Sequence, residues 1–219
     1  MYLTTYYSDG TSSETLLYTW TECEYGGNPQ FDQAAPNGEG GNSDSPAPVN
    51  PIAPPDTPIQ DIKKFLSCLN TSQNADVKVY AQTMWGGNGV GHAFISIQQG
   101  SNTMVYGFYP KYGFPSNFSG TGIMGNNGGH EYNISASFNN ISSAQLNQII
   151  AISQVYEATD YDLQYNNCSD FAMDVLNIVG TSANNSGSFD SPNNVASILS
   201  NLPNHTSAGN APQTYRTCP

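Results

Sequence analysis

Basic residues are nearly missing from this chain. Lys and Arg total 5 against 17 Asp and Glu in 219 residues, for a formal net charge of −12. None falls between Tyr112 and Tyr215. Phosphate groups and anionic lipid surfaces are bound by cationic side chains, so this balance argues against nucleic acid and anionic membranes as partners. Long apolar runs are missing too. Nothing approaches the roughly 18 consecutive apolar residues of a membrane helix, and no membrane span is expected. The 3 His and 4 Cys show no C-x-x-C or H-x-x-x-H spacing, so no metal and no cofactor are expected. GNGVG contains G-x-G but lacks the strand-turn-helix context of a phosphate loop. The opening MYLTTYYSDGTSS lacks the basic and apolar regions of a signal peptide. It reads as the end of an upstream module.

What is abundant is Gly, Asn, Ser and Thr, a composition that suits secreted or surface-exposed bacterial proteins. Residues 1–23 alternate Tyr, Thr and Leu with polar residues and predict two short strands around Ser-Asp-Gly. Residues 24–58 are rich in Gly, Asn and Pro. They have too little apolar surface to offset the entropy of ordering and read as a linker. The domain proper is expected over 59–219.

Within it, IQDIKKFLSCLN places Ile59, Ile62, Phe65, Leu66 and Leu69 at helical spacing, with Cys68 beside them as a core thiol. ADVKVYAQT turns Val77, Val79 and Ala81 inward as a strand. HAFISIQ and NTMVYGFYP predict a hairpin, and YGFPSNFSGTGIMGNNGG a long Gly-rich loop. HEYNISASF predicts another strand, with Tyr132, Ile134, Ala136 and Phe138 on one face.

From Ser142 the period becomes helical. Ser142 and Gln145 form capping-box spacing ahead of Leu146, Ile149, Ile150 and Val155. CSDFAMDVLNIVG predicts a helix capped by Asn166 or Asn167 and stopped at Gly180. SPNNVASILSNLP predicts a third, with Ser191 as cap and Pro192 at the first helical position. The expected fold class is α+β: helices packed on a small antiparallel sheet.

Cys168 opens the second of these helices. Unpaired N–H groups and the positive end of the dipole favour a thiolate there. His92 opens the strand HAFISI. A thiol and an imidazole on separate regular elements are the minimum parts of a cysteine hydrolase: Cys168 attacks a carbonyl, His92 takes the thiol proton, and the Cys168 N–H donates to the oxyanion. The alternative is a buried structural thiol. Asp170 reads as a helix stabiliser, and His205 as solvated. Cys23, Cys68 and Cys218 allow one bridge, for which Cys23 with Cys218 would tie the ends together.

GHAFISI followed about 75 residues later by NCSDFA resembles the circularly permuted, NlpC-like branch of the papain-like cysteine hydrolases. There the His strand precedes the Cys helix. The resemblance covers roughly residues 59–202 and extends to Bacteroidetes secreted domains that follow a Pro-rich linker. It implies a small antiparallel sheet flanked by helices, with Cys168 and His92 across a cleft and a third polar residue orienting the imidazole. The family places that residue on the strand after the His strand, where MVYGFYP offers only Tyr106 and Tyr109. His130, opening the next predicted strand, is the favoured third residue, with Tyr106 as the alternative.

The implied activity is an amidase or peptidase cutting peptidoglycan stem peptides. The linker and the N-terminal segment fit a catalytic module of a larger secreted, cell-surface or target-cell-delivered protein, an antibacterial toxin with an immunity protein as its possible partner. Two alternatives stand beside it: a lipid acyl hydrolase or acyltransferase with MVYGFYPKYGFP lining a lipid groove, and a non-catalytic surface-binding module.

Overall fold

The computed structural model describes residues 2–6, 12–16, 52–84, 91–183 and 189–218. The chain divides into two units, residues 1–50 and 51–219. In the first, the alternating Tyr/Thr segments form an antiparallel pair, β1 (Tyr2–Tyr6) and β2 (Ser12–Leu16), with Tyr2 opposite Leu16. Cys23 and most of the Gly/Pro-rich stretch lie outside the described residues. Ile52, within the stretch assigned to the linker, is packed into the core of the second unit.

The second unit runs β3 (Pro58–Ile59), α1 (Ile62–Phe65), β4 (Ala75–Gln82), β5 (His92–Gln99), β6 (Asn102–Pro110), β7 (Ser119–Asn126), β8 (Glu131–Ile141), α2 (Ser143–Glu157), β9 (Asp160–Asp162), α3 (Cys168–Ile178), α4 (Pro192–Ser200) and β10 (His205–Asn210). The strands form one eight-stranded antiparallel sheet in the order β10-β8-β4-β5-β6-β7-β3, with β9 paired to the start of β7. This is an α+β architecture.

Alternation along the central strands sets the two faces. Val77, Val79 and Ala81 of β4, Ala93, Ile95 and Ile97 of β5, and Tyr106 and Phe108 of β6 pack with Leu146 and Ile149 of α2, Phe171, Val175 and Leu176 of α3, and Val195 and Leu199 of α4. Each Val, Leu, Ile or Phe among them contributes roughly 1.5–3 kcal/mol by leaving water. The opposite face carries a smaller cluster of Tyr80, Phe94, Val105 and Ala211, with Tyr132 against it. The C-terminal segment runs beside β6, where Tyr215 and Thr103 exchange backbone hydrogen bonds.

The structure departs from the sequence reading at several points. The stretch after Tyr112 is not one long loop, because β7 occupies Ser119–Asn126. Its glycines hide it from a propensity reading, yet they are what the strand needs: a Cβ at Gly122 would run into the Phe108 ring, and one at Gly125 into Pro55 and Tyr109. The helix expected around Ile59–Leu69 is a single turn, although Ile59, Ile62, Phe65, Leu66 and Leu69 are all buried.

Val155 is exposed rather than on the buried side of α2, whose inward positions are Leu146, Ile149, Ser153 and Tyr156. Tyr132 packs on Tyr80, away from the face shared by Ile134, Ala136 and Phe138. Cys68 is not a core thiol, and Cys218 does not pair with Cys23: the two are joined to each other, with Cα atoms 5.3 Å apart. Met104–Pro110 lies buried in the sheet.

Candidate active site

Asn167 fixes the start of α3. Its backbone is extended (φ −121°, ψ −170°), and its Oδ1 accepts from Ser169 N–H at 2.7 Å. Its Nδ2 donates to the carbonyls of Leu163 (3.0 Å) and Asp190 (2.9 Å), tying the cap to the chain on both sides. Asp170 closes the capping box by accepting from Asn167 N–H at 2.6 Å. Its carboxyl is pushed up to about 7, first by burial and further by the charges of Asp190 and Asp174, against the N–H bonds it accepts.

This cap sets Cys168 at the first helical position, where it is 4% exposed and the one free cysteine among the described residues. Its sulfur faces the backbone N–H of Ala93, the residue after His92, and lies 3.9 Å from the Ser169 hydroxyl. Those contacts and its own N–H favour the thiolate. Burial outweighs them, Asp170 adds to it, and the thiol is pushed up to about 11.

His92, the first residue of β5, pairs with Gln82 of β4. The β5–β6 ladder ends at Ile95↔Tyr106, so His92 lies beyond its last pair. The ring sits against Tyr109 (centroids 4.2 Å), Phe94 (5.6 Å) and His130 (5.9 Å). Burial holds it well below the usual imidazole range, and the charge of His130 pushes the same way. Cys168 therefore reaches the end of β5 at Ala93, on the helix side, while the His92 ring projects toward the Phe94 side. The two do not hydrogen-bond: both His92 ring nitrogens are buried without a partner among the described residues.

The group that faces His92 is Asn127, just past the end of β7. Its Oδ1 is buried without a full hydrogen bond, and it lies close enough to favour a charged His92. A Cβ on Gly107 of β6 would stand 2.7 Å from His92 Nε2 and 3.1 Å from Asn127 Oδ1. Nε2 and Oδ1 thus converge above this glycine, which leaves Nδ1 uncommitted. The Asn127 amide also donates to the Tyr109 hydroxyl, and its Nδ2 stands 3.5 Å from His130 Nδ1.

His130 is therefore in the cluster, its ring edge-on to that of His92 and its Nδ1 beside the Asn127 amide. Burial lowers its pKa, opposed by Asp56 and Glu131. Tyr106 is elsewhere: its hydroxyl bonds Ser153 of α2 at 2.9 Å, on the helix side of the sheet. His205 is exposed on β10, with Nδ1 at the Leu202 carbonyl.

Asn127 is the residue that sequence reasoning missed. It stands in NNGG, within a stretch read as loop. Only with β7 placed beside β6 does it meet a ring on β5. Among the described residues, no three His, Cys, Asp or Glu are arranged to hold a metal. No helix among them is long and apolar enough to cross a membrane. Comparison with known proteins returns no match: no family model, no curated protein and no solved structure is similar to the chain.

Proposed function

We propose that the second unit is a cysteine-nucleophile hydrolase of amide bonds, a permuted papain-like enzyme in which Cys168 attacks, His92 is the base and Asn127 orients the ring. The observation that carries this reading is the convergence at the end of β5: a capped helix start brings the thiol against Ala93 N–H, and the adjacent His92 meets an asparagine oxygen across a glycine. Burial keeps thiol and imidazole neutral, and the two do not hydrogen-bond in this structure. Sγ and Nδ1 must come within hydrogen-bond reach in the substrate complex, where the proton passes from Sγ to Nδ1 as the carbon–sulfur bond forms. Asn127 Oδ1 stabilises the resulting imidazolium at Nε2–H. The backbone N–H of Cys168 is a donor to the oxyanion. Collapse of the tetrahedral intermediate returns the Nδ1 proton to the leaving amine. Water then releases the acyl group from sulfur by the same base.

The substrate class proposed from the sequence resemblance is the peptidoglycan stem peptide. The setting is a secreted, surface-bound or delivered antibacterial module, with an immunity protein as the partner such a toxin would call for. The burial of Cys168 and His92 favours one rival, a non-catalytic module with a structural thiol. Incubation with purified muropeptides, and in parallel with phospholipid vesicles, distinguishes the readings. The hydrolase reading expects new amine termini from muropeptides, lost in Cys168→Ala and His92→Ala. Release of fatty acid from vesicles alone would replace it with a lipid enzyme. No product from either, with a folded protein, would support the non-catalytic module.

A further inference from the structure

The Asn127 amide has one accepting and one donating end, and three rings surround it. In the structure the donating end is directed at the Tyr109 hydroxyl and at His130 Nδ1, and the accepting end is left for His92. Three proton positions satisfy this placement of the amide, whose Nδ2 can only donate and whose Oδ1 can only accept. His130 Nδ1 must be a lone pair, so His130 is neutral with its proton on Nε2. His92 satisfies Asn127 Oδ1 only as Nε2–H, so its lone pair is on Nδ1. The Tyr109 hydroxyl accepts, and its own hydrogen finds no acceptor among the described residues.

We propose that His130 is a positioning residue that decides which nitrogen of His92 carries the proton, acting through the side-chain amide of Asn127. When His130 takes a second proton, its Nδ1 becomes a donor and confronts the donating end of the amide. A half-turn of the amide resolves the conflict. Oδ1 then accepts from His130 Nδ1–H and from the Tyr109 O–H, whose hydrogen gains a partner. Nδ2 in turn donates to His92 Nε2, which must be a lone pair. The Nε2 proton of His92 leaves to solvent and another arrives at Nδ1. The net change is one proton gained by His130 and none by His92.

The half-turn exchanges the oxygen and nitrogen of the amide in place, over a glycine whose lack of a side chain lets Asn127 and His92 approach. The groups that bear on His130 are the His92 ring of β5, the Phe94 ring at 5.4 Å, and the carboxylates of Asp56 and Glu131, which favour its charged form against its partial burial. Tyr109 contributes no charge, since burial holds its phenol protonated. The consequence for catalysis rests on the hydrolase reading: with Nδ1 protonated, His92 has no lone pair for the thiol proton, so activity falls on the acid side with the midpoint of His130.

The test reads the tautomer directly and needs no turnover. Long-range 1H–15N spectra of the imidazoles are recorded from pH 8 to pH 4 on uniformly labelled protein, on His130→Gln and on Asn127→Asp. The expected wild-type result is His92 protonated on Nε2 at high pH and on Nδ1 at low pH, switching with the midpoint at which His130 titrates. His130→Gln removes the titrating partner, and Asn127→Asp removes the donating end. His130→Gln is expected to hold His92 as Nε2–H throughout. Asn127→Asp is expected to keep Nε2 protonated, with any proton taken up at low pH added at Nδ1 and none exchanged from Nε2. A wild-type His92 that keeps one tautomer across the range overturns the proposal, as does a switch that persists in His130→Gln. A purely electrostatic effect of His130 would lower the pKa of His92 without exchanging its tautomer, and that result also overturns it. An inactive protein can pass this test and an active one can fail it, so its outcome is separate from that of the hydrolase assay.

Discussion

At the residue scale, two effects compete at Cys168. A helix start stabilises an adjacent anion by about 0.3–1 kcal/mol at the surface and up to about 2 kcal/mol when partly buried. Removing a thiolate from water costs several kcal/mol. The second wins, and the thiol lies at about 11 against an ordinary value of 9.0. A group whose folded pKa is raised contributes stability that is complete below the unfolded value and lost as pH rises through the folded one. Here that window runs from 9.0 to about 11. Chemical denaturation across it should show wild type losing roughly 2–3 kcal/mol more than Cys168→Ala. Parallel pH profiles for the two proteins would contradict the burial argument.

A second residue-scale prediction concerns Gly107, where a Cβ would stand 2.7 Å from His92 Nε2 and 2.9 Å from Phe94 Cβ. Gly107→Ala should destabilise the fold by about 1–3 kcal/mol, as overpacking does. It should also separate Asn127 from His92. Denaturant midpoints check the first effect, and the His92 15N shifts check the second.

At the element scale, α3 depends on one side chain. Asn167 caps the helix and reaches two carbonyls outside it. A cap alone is worth about 1 kcal/mol, and two further buried bonds add roughly 0.5–1.5 kcal/mol each. Asn167→Ala should therefore cost roughly 2–4 kcal/mol in a denaturant titration. Asn194→Ala, at the capping box of α4, should cost less, because Ser191 remains as its cap.

Caps and periodicity are local, and these elements could be read directly: Ser142 with Gln145, Asn166 or Asn167 ahead of Cys168, of which the structure uses Asn167, and Ser191 with Pro192. β7 could not, since Gly120, Gly122 and Gly125 lower strand propensity and are there to let Ser116, Phe108 and Pro55 come close. The same reason hides Asn127. Cys168 and His92 carry local signals, a helix start and a strand start. An asparagine that matters because it crosses from β7 to β5 over a glycine of β6 carries none. His130 has a visible signal, and its ring lies edge-on to that of His92.

At the scale of the whole molecule, the Cys68–Cys218 bond spans 150 residues and pins the C-terminal segment to the end of the first helical turn. Arg216 adds to this closure, donating to the Lys64 carbonyl and lying over the Phe65 ring. Closing a loop of that length removes chain entropy worth roughly 5 kcal/mol from the unfolded state, an upper bound by the chain-entropy account. Reduction should lower the denaturant midpoint substantially, and Cys68→Ser should reproduce the shift without reductant. A midpoint unmoved by either would show that the core alone holds the segment.

The central claim is that the end of β5 assembles a working nucleophile, and intact-protein mass spectrometry after exposure to a small activated acyl ester tests it most directly. The expected result is one acyl group per protein, placed on Cys168 by peptide mapping, formed at least tenfold more slowly in His92→Ala and absent in Cys168→Ala. Folded protein that acquires no acyl group at Cys168, or acquires it as fast without His92, would contradict it.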